Sequence, residues 1–268
     1  MIIQLLDGTV YNTTNFNLIR LFHYIPSATV NHEINSLQSR YDEITSTKLN
    51  VRNIRVQFLY EASDIFDFYL LRDELHNLFI REEPFYIIFD REPYKRWLVK
   101  SNSQLDIPPN PHMQAFDVEF ITMNNYAENV FSTGQYTSKE WDTNMYYWNS
   151  TITWDDTLAY GFTEKNFSVF NGGNVRIDPR QTELIINVRG VGNLTITNNT
   201  TGDVYAYNRA LTDTDSLQLN GVRTLINGVS DFRNTNRNLI TLAPGNNDFT
   251  VTIDTLNNID FNFRYLYK

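Results

Sequence analysis

The chain has no cysteine among its 268 residues. That removes disulfide frameworks, cysteine-zinc sites and cysteine nucleophiles together, so stability has to come from core burial and assembly. No run reaches the roughly 20 apolar residues that a membrane-spanning helix needs. The opening Met1-Ile2-Ile3-Gln4 lacks the basic segment and small-residue cleavage site of a secretory signal. Basic charge is short: 22 Lys and Arg stand against 31 Asp and Glu, a net charge of −9. A grip on nucleic acid or anionic lipid needs clustered Lys and Arg, and the balance points the other way. Histidine occurs at His23, His32, His76 and His112 only. None has a partner at helical i, i+4 spacing, so no metal site is expected. The second half has no histidine, which excludes a His-based acid–base device confined to it.

What is abundant points to β structure. The chain holds 33 Asn and 27 Thr beside 16 Tyr and 18 Phe. Thr and the aromatics favour half-buried strands, and Asn favours turns. Glycine and proline divide the chain. Residues 1–135 hold 2 of the 11 Gly and 6 of the 8 Pro, and the remainder holds 9 and 2. The shift predicts two domains, 1–135 and 156–268, joined by a segment, 136–155, rich in aromatics.

In the first half, 49–60 alternates Val51, Ile54, Val56 and Phe58 with Arg52, Arg55 and Gln57, as a strand with one wet face does. Ser63 or Asp64 then suits a helix N-cap. Ile65, Phe68, Tyr69, Leu71, Leu75, Leu78 and Phe79 follow at helical spacing, with Asp67 near the start and Arg81 at the end as the helix dipole prefers. Phe85–Phe89, the turn Asp90-Arg91-Glu92-Pro93, and Trp97-Leu98-Val99 form a predicted β-hairpin. Pro108-Pro109-Asn110-Pro111 is a loop, and Met113, Phe116, Val118 and Phe120 mark another strand. The second half reads as short strands parted by turns at Asn171-Gly172-Gly173, Gly190-Val191-Gly192, Asn198 to Gly202, Asn220-Gly221 and Pro244-Gly245. Asn220-Gly221 suits a two-residue hairpin turn. The spacing predicts a β-sandwich or jelly roll.

Chemistry is sparse. Asn171-Gly172-Gly173-Asn174 precedes a strand, so it cannot seat a phosphate on a helix N-terminus. No cofactor loop, metal site or catalytic constellation emerges. Asp155-Asp156 and Asp213/Asp215 are the nearest approach to the paired carboxylates of a glycoside hydrolase, and both lie in turn-like contexts. Two aromatic groups suit binding. The 85–99 hairpin carries Phe85, Tyr86, Tyr94 and Trp97 with Arg91 and Arg96, the mixture interfaces favour. We read these six as a candidate subunit interface. Trp141, Tyr146, Tyr147, Trp148 and Trp154 are a candidate contact for a partner protein or for a sugar ring. The sugar alternative would make the chain a saccharide-binding adhesion module.

The order of elements resembles the siphovirus distal tail protein family, the hub of the phage baseplate. In the first half the resemblance rests on VRNIRVQFLY, DIFDFYLLRDELHNLF and FYIIFDREPYKRWLVKS. In the second it rests on FNGGNVRIDPRQTELIINVRG, NLTITNNTTGDVYAYN, LITLAPGNNDFTVTID and the final FNFRYLYK. It covers most of the chain apart from residues 1–45 and the aromatic segment. The resemblance implies a β-rich ring-forming N-terminal domain with one α-helix and a hairpin, then a galectin-like C-terminal domain. It also implies a non-enzymatic virion protein of the tail tip, assembled in the host cytoplasm as a hexameric ring. Its partners would be copies of itself, the tail-tube protein, the tail-tip protein and receptor-binding proteins. DNA would pass through the ring without specific contacts.

Overall fold

The strongest alternation in the first half, Ile54-Val56-Phe58-Tyr60, forms the spine of that half's sheet. The computed structural model describes residues 1–36, 42–102, 104–109, 113–135 and 158–268. The chain divides into one unit of Met1–Ala127 with Lys268, and a second of Glu128–Tyr267. The aromatic segment, Asp155-Asp156 and His112 lie outside the described residues.

The first unit contains β1 (Ile2–Gln4), β2 (Val10–Asn12), β3 (Leu18–Tyr24), β4 (Val30–Ser36), β5 (Asp42–Leu49), β6 (Asn53–Glu61), α1 (Ile65–Phe79), β7 (Phe85–Ile88), β8 (Lys95–Ser101) and β9 (Met113–Thr122). Its sheet runs β2-β1-β7-β8-β9-β6-β3, while β4 and β5, among the described residues, pair only with each other. β6 lies antiparallel to β9 from Asn53↔Ile121 to Glu61↔Met113. Ile54, Val56, Phe58 and Tyr60 face inward and are buried. Val51, expected on this face, is exposed; the strand starts after it, and its odd number sets it against the even inward register.

Asp64 caps α1. Its Oδ1 accepts from the backbone N–H groups of Phe66 and Asp67, each at 2.8 Å. Asp67 Oδ2 accepts from Ser63 N at 2.8 Å, so the two carboxylates close the first turn reciprocally. The helix buries Phe68, Leu71, Leu75, Leu78 and Phe79. These meet the inward face of the sheet, with Phe79 and Phe58 at 5.4 Å between ring centroids and Phe68 and Tyr60 at 5.5 Å. Ile65 and Tyr69, expected in the core, are exposed. The buried stripe starts at Phe68, so the first turn turns its apolar residues outward.

After β10 (Ala127–Asn129), the second unit holds β11 (Gly161–Phe162), β12 (Asn166–Asn171), β13 (Leu184–Asn198), β14 (Asp203–Leu211), β15 (Leu217–Asn220), β16 (Arg223–Ile226), β17 (Val229–Ser230), β18 (Gly245–Thr252), β19 (Thr255–Phe263) and β20 (Leu266–Tyr267). Residues 128–135 pack here: Thr133 Oγ1 donates to Phe261 O at 2.9 Å and accepts from Phe263 N at 3.0 Å. β13 joins two sheets. Its first part lies between β19 and β15, and its last part between β14 and β18. The expected turn at Gly190-Val191-Gly192 is therefore an irregular stretch inside one 15-residue strand. Both glycines are needed there. A Cβ on Gly190 would lie 2.4 Å from Thr255 O, and Gly192 has φ +107 with Asp254 Oδ2 2.3 Å from where a Cβ would sit. At the β15–β16 turn the loop residues are Gly221 and Val222, because Asn220 pairs with Arg223.

Aromatic rings fill the second core. Phe167 stacks on Phe162 at 4.2 Å and on Phe249 at 5.5 Å, and Phe249 meets Phe261 at 5.0 Å. The unit also holds a buried amide pair, Asn198 and Asn247. Asn247 Nδ2 donates to the carbonyls of Ala243 at 2.8 Å and Gly245 at 3.1 Å, and its Oδ1 accepts from Ala243 N at 2.8 Å. Asn198 Nδ2 donates to Thr241 O at 2.8 Å and to Asn247 Oδ1 at 3.3 Å. The pair ties the 241–247 turn to the end of β13.

Candidate functional site: assembly surfaces

The β7–β8 hairpin is where the aromatic and arginine residues of the expected interface lie, and the fold separates them. Inward positions bury Phe85, Tyr94 and Trp97, the last with 4% of its surface exposed. These three are core residues of their own unit and leave no face for a partner, which corrects that part of the expectation. Period-2 alternation accounts for the split: Phe85 and Trp97 take the core side of their strands, and Tyr86 and Arg96 the other. Arg96 places its guanidinium over the Tyr86 ring at 3.8 Å, and both are half-buried. Arg91, on the turn, is exposed.

Beneath the turn is a compact polar cluster. Asp90 accepts an ion pair from the Met1 amine at 3.0 Å and from Arg20 Nη2 at 2.9 Å. Burial works against its charge, but the hydrogen bonds and charges of these two cations outweigh it and hold the carboxyl below its ordinary value. His23 stacks on Phe89 with centroids 4.1 Å apart and planes 12° apart. Arg20 Nη1 donates to His23 Nδ1. Burial first, then the Arg20 charge, push the His23 pKa down, so the neutral ring is the folded form. Arg91 adds to this effect, and Glu92 and Asp90 oppose it.

A pH dependence follows. The unfolded chain takes up the His23 proton near the ordinary 6.5, and the folded chain does so only at lower pH. The stability His23 contributes is complete above 6.5 and is lost as pH falls through that value towards the folded pKa. We expect the melting temperature of the first unit to drop between pH 7.5 and 5.5, and His23→Phe, which keeps a ring on Phe89, to flatten that drop. An unchanged slope in the variant contradicts this assignment.

Three further surfaces of the first unit expose apolar side chains. On β3, the last strand of its sheet on the β6 side, Ile19, Phe22 and Tyr24 are exposed. Leu18 is buried in the core, and Arg20 and His23 turn to Asp90 and Phe89. The β4–β5 ribbon is amphipathic. Its register sets Val30 opposite Leu49, His32 opposite Thr47 and Ile34 opposite Ile44 on one face. The other face carries Glu33, whose carboxylate accepts from Ser46 Oγ at 2.7 Å and Lys48 Nζ at 2.6 Å. Ile34 and Ile44 are 61% and 58% exposed. On α1, Phe66 and Leu70, one turn apart, are 77% and 69% exposed, flanked by Ile65 and Tyr69. The ribbon's signal was there in Val30-His32-Ile34, but a polar strand of seven residues whose partner bulges at Thr45 breaks the alternation that would reveal it.

Of the carboxylates considered for hydrolysis, Asp213 and Asp215 are structural staples. Asp215 Oδ2 accepts from Thr212 N at 2.9 Å and Thr212 Oγ1 at 2.8 Å, and Oδ1 accepts from Asn227 Nδ2 at 2.9 Å. Those bonds hold its pKa below the ordinary value, the opposite of what a general acid needs. Asp213 accepts from Asn257 Nδ2 at 3.0 Å. Among the described residues no group of three or more His, Asp or Glu could hold a metal ion.

Comparison with known proteins bears on what these surfaces serve. Residues 11–122 match the family model described as the phage tail protein RIFT-related domain. That match covers most of the first unit. The match spans β2 to β9 and so includes the ribbon, the helix and the hairpin. Among curated proteins no sequence matches the chain. Among solved structures it is similar to the Dit protein (gp 19.1) of phage SPP1, described as a paradigm of the hub adsorption apparatus in phages infecting Gram-positive hosts. That likeness has a TM-score of 0.68 at 13% identity and covers 98% of each chain, and it establishes the fold. A chain of the phage p2 baseplate in its activated conformation with strontium is similar at TM-score 0.48 and 9% identity, covering 98% of this chain and 96% of that one. The calcium form gives 0.45 at 9%, over 97% and 94%. Together these give a family match over residues 11–122 and a Dit-like fold along the whole chain.

Proposed function

We propose that the chain is the ring-forming hub of a phage tail tip. Copies of the first unit close a hexameric ring. One face of that ring meets the last ring of the tail tube, and the other receives the tail-tip protein. The second unit, galectin-like, carries receptor-binding proteins. The role is structural and non-enzymatic, and the chain resides in the virion after assembly in the host cytoplasm. The phage tail domain over residues 11–122, within a fold shared along the whole chain with a hub protein, carries this proposal. The acidic balance supports it as well, because a channel that passes DNA works best without a grip on phosphates. Of the expected interface residues, Tyr86, Arg91 and Arg96 keep the exposure such a contact needs. The five aromatics of 141–154 stay a proposed contact for partner or saccharide.

Gold-labelled antibody against the chain, applied to virions of the phage that encodes it, tests the location. We expect label at the free end of the tail. Label along the tube or on the capsid contradicts the proposal.

A further inference from the structure

We infer that the second unit docks an acidic, extended segment of a partner protein in the cleft beside β17. The inference rests on the reading that this unit carries a partner, and it names the surface and the partner's chemistry. Three observations carry it. First, the surface has the apolar part of an interface. The cleft is lined by Leu184, Leu219, Val222, Phe232, Leu239 and Ile240. Val222 and Phe232 are 50% and 41% exposed. Val229, which pairs with Ile226 across the Asn227-Gly228 turn, is 68% exposed. β17 is the last strand of its sheet, and no described strand pairs with its outer edge, so an extended segment can lie alongside it.

Second, the charge around the cleft is of one sign. Residues 222–239 hold Arg223, Arg233 and Arg237 against the single acid Asp231, in a chain of net charge −9. Arg223 lines the cleft, and Arg233 and Arg237 adjoin its lining residues Phe232 and Asn238. All three arginines are exposed. Asp231 is taken up by Tyr207 Oη, which donates to it at 2.5 Å, and by Asn234 Nδ2 at 2.8 Å. Among the described residues none of the three guanidinium groups has an acid partner. A guanidinium binds a carboxylate through two parallel N–H groups, and aromatic residues with arginine are what interfaces favour. A bare polyanion would leave the apolar side chains unused, so a peptide is the better fit.

Third, the loop that presents Arg237 is fixed in advance. Arg237 has φ +62, a left-handed conformation that residues other than glycine and asparagine seldom take. Its neighbours pin it. Asn236 Nδ2 and Asn238 Nδ2 both donate to Val204 O, at 2.8 and 3.1 Å, and Asn236 N donates to Ala206 O at 3.0 Å. Arg237 N donates to Thr235 Oγ1 at 3.1 Å. The turn by itself would be met by glycine. An exposed arginine held there is explained by recognition, for which a loop ordered beforehand lowers the cost of binding.

A library of short random peptides, displayed and panned on the purified full chain, tests this. We expect the enriched sequences to cluster Asp and Glu beside a large apolar residue. A synthetic peptide of that consensus should lose about tenfold or more in affinity for Arg233→Glu with Arg237→Glu, and likewise for Phe232→Ser. Both variants change exposed side chains and should melt with the wild-type chain. No enrichment, or a consensus without acids, overturns the inference, and so does equal binding by the arginine variant. Loss in the arginine variant with full binding by Phe232→Ser marks a plain polyanion site and overturns it too. The chain is used alone, so failure here leaves the tail-tip location standing, and antibody label away from the tail tip leaves the peptide result standing.

Discussion

Trp97→Ala should unfold the first unit, not merely separate subunits. Removing a buried tryptophan from a packed core destabilises by about 3–5 kcal/mol, a large part of the ~5–15 kcal/mol that holds a domain together. Trp97 pairs with Ile87 across the hairpin, and its ring carries the Arg52 guanidinium at 5.1 Å. Arg52 is buried, and its guanidinium donates to the carbonyls of Pro26 at 3.5 Å and Asn125 at 3.2 Å. Burial lowers its pKa, so losing the ring leaves a cation without its principal cover. Circular dichroism melts should show the first unit's transition falling by well over 10 °C, with the second unit's in place. A variant that keeps its melting temperature and loses only self-association would return Trp97 to the interface and contradict its place in the core. Arg91→Glu is the counterpart: exposed, it should leave stability within about 0.5 kcal/mol.

Asn247→Ala should do to the second unit what Trp97→Ala does to the first, through polar groups instead of volume. Asn247 is fully buried. Truncation strands Ala243 N, deprives the Ala243 and Gly245 carbonyls of their donor, and takes one acceptor from Asn198. A stranded buried group costs about 1–3 kcal/mol, so a loss of about 3 kcal/mol is expected once the loop has relaxed. The damage should stay local to the 241–247 turn and the end of β13, where β18 begins. Hydrogen exchange should show both segments losing protection before the rest of the unit. A loss below 1 kcal/mol would mean that water replaces the amide and that the turn is not held by it.

How much of this was legible in the sequence depended on which physical signal a residue carries. Strong alternation located β6, and helical spacing with an Asp cap located α1, because both patterns record burial on one side of one element. The same logic failed at Ile65 and Tyr69. Their spacing fits the helix period, but which apolar face meets the sheet is decided by the partner strands, not by the helix. The aromatic hairpin failed for a related reason. Composition marks Phe85, Tyr94 and Trp97 as interface types, yet cores and interfaces use the same residues, and only the register sends them inward. Gly190 and Gly192 were read as a turn because glycine permits turns; close approach of Thr255 and Asp254 is the other cause of glycine, and it depends on chain segments 60 residues away. The ribbon was the largest omission. Its apolar face is three pairs wide and, among the described residues, it joins no other strand, so it leaves little periodicity behind.

The central claim is that the chain assembles into a closed ring, and the mass of the purified protein in solution tests it most directly. Light scattering after size exclusion, at concentrations of tens of micromolar and neutral pH, should give a mass near six times 31.4 kDa, without a trail of intermediate species. A single species at 31.4 kDa under those conditions contradicts the account.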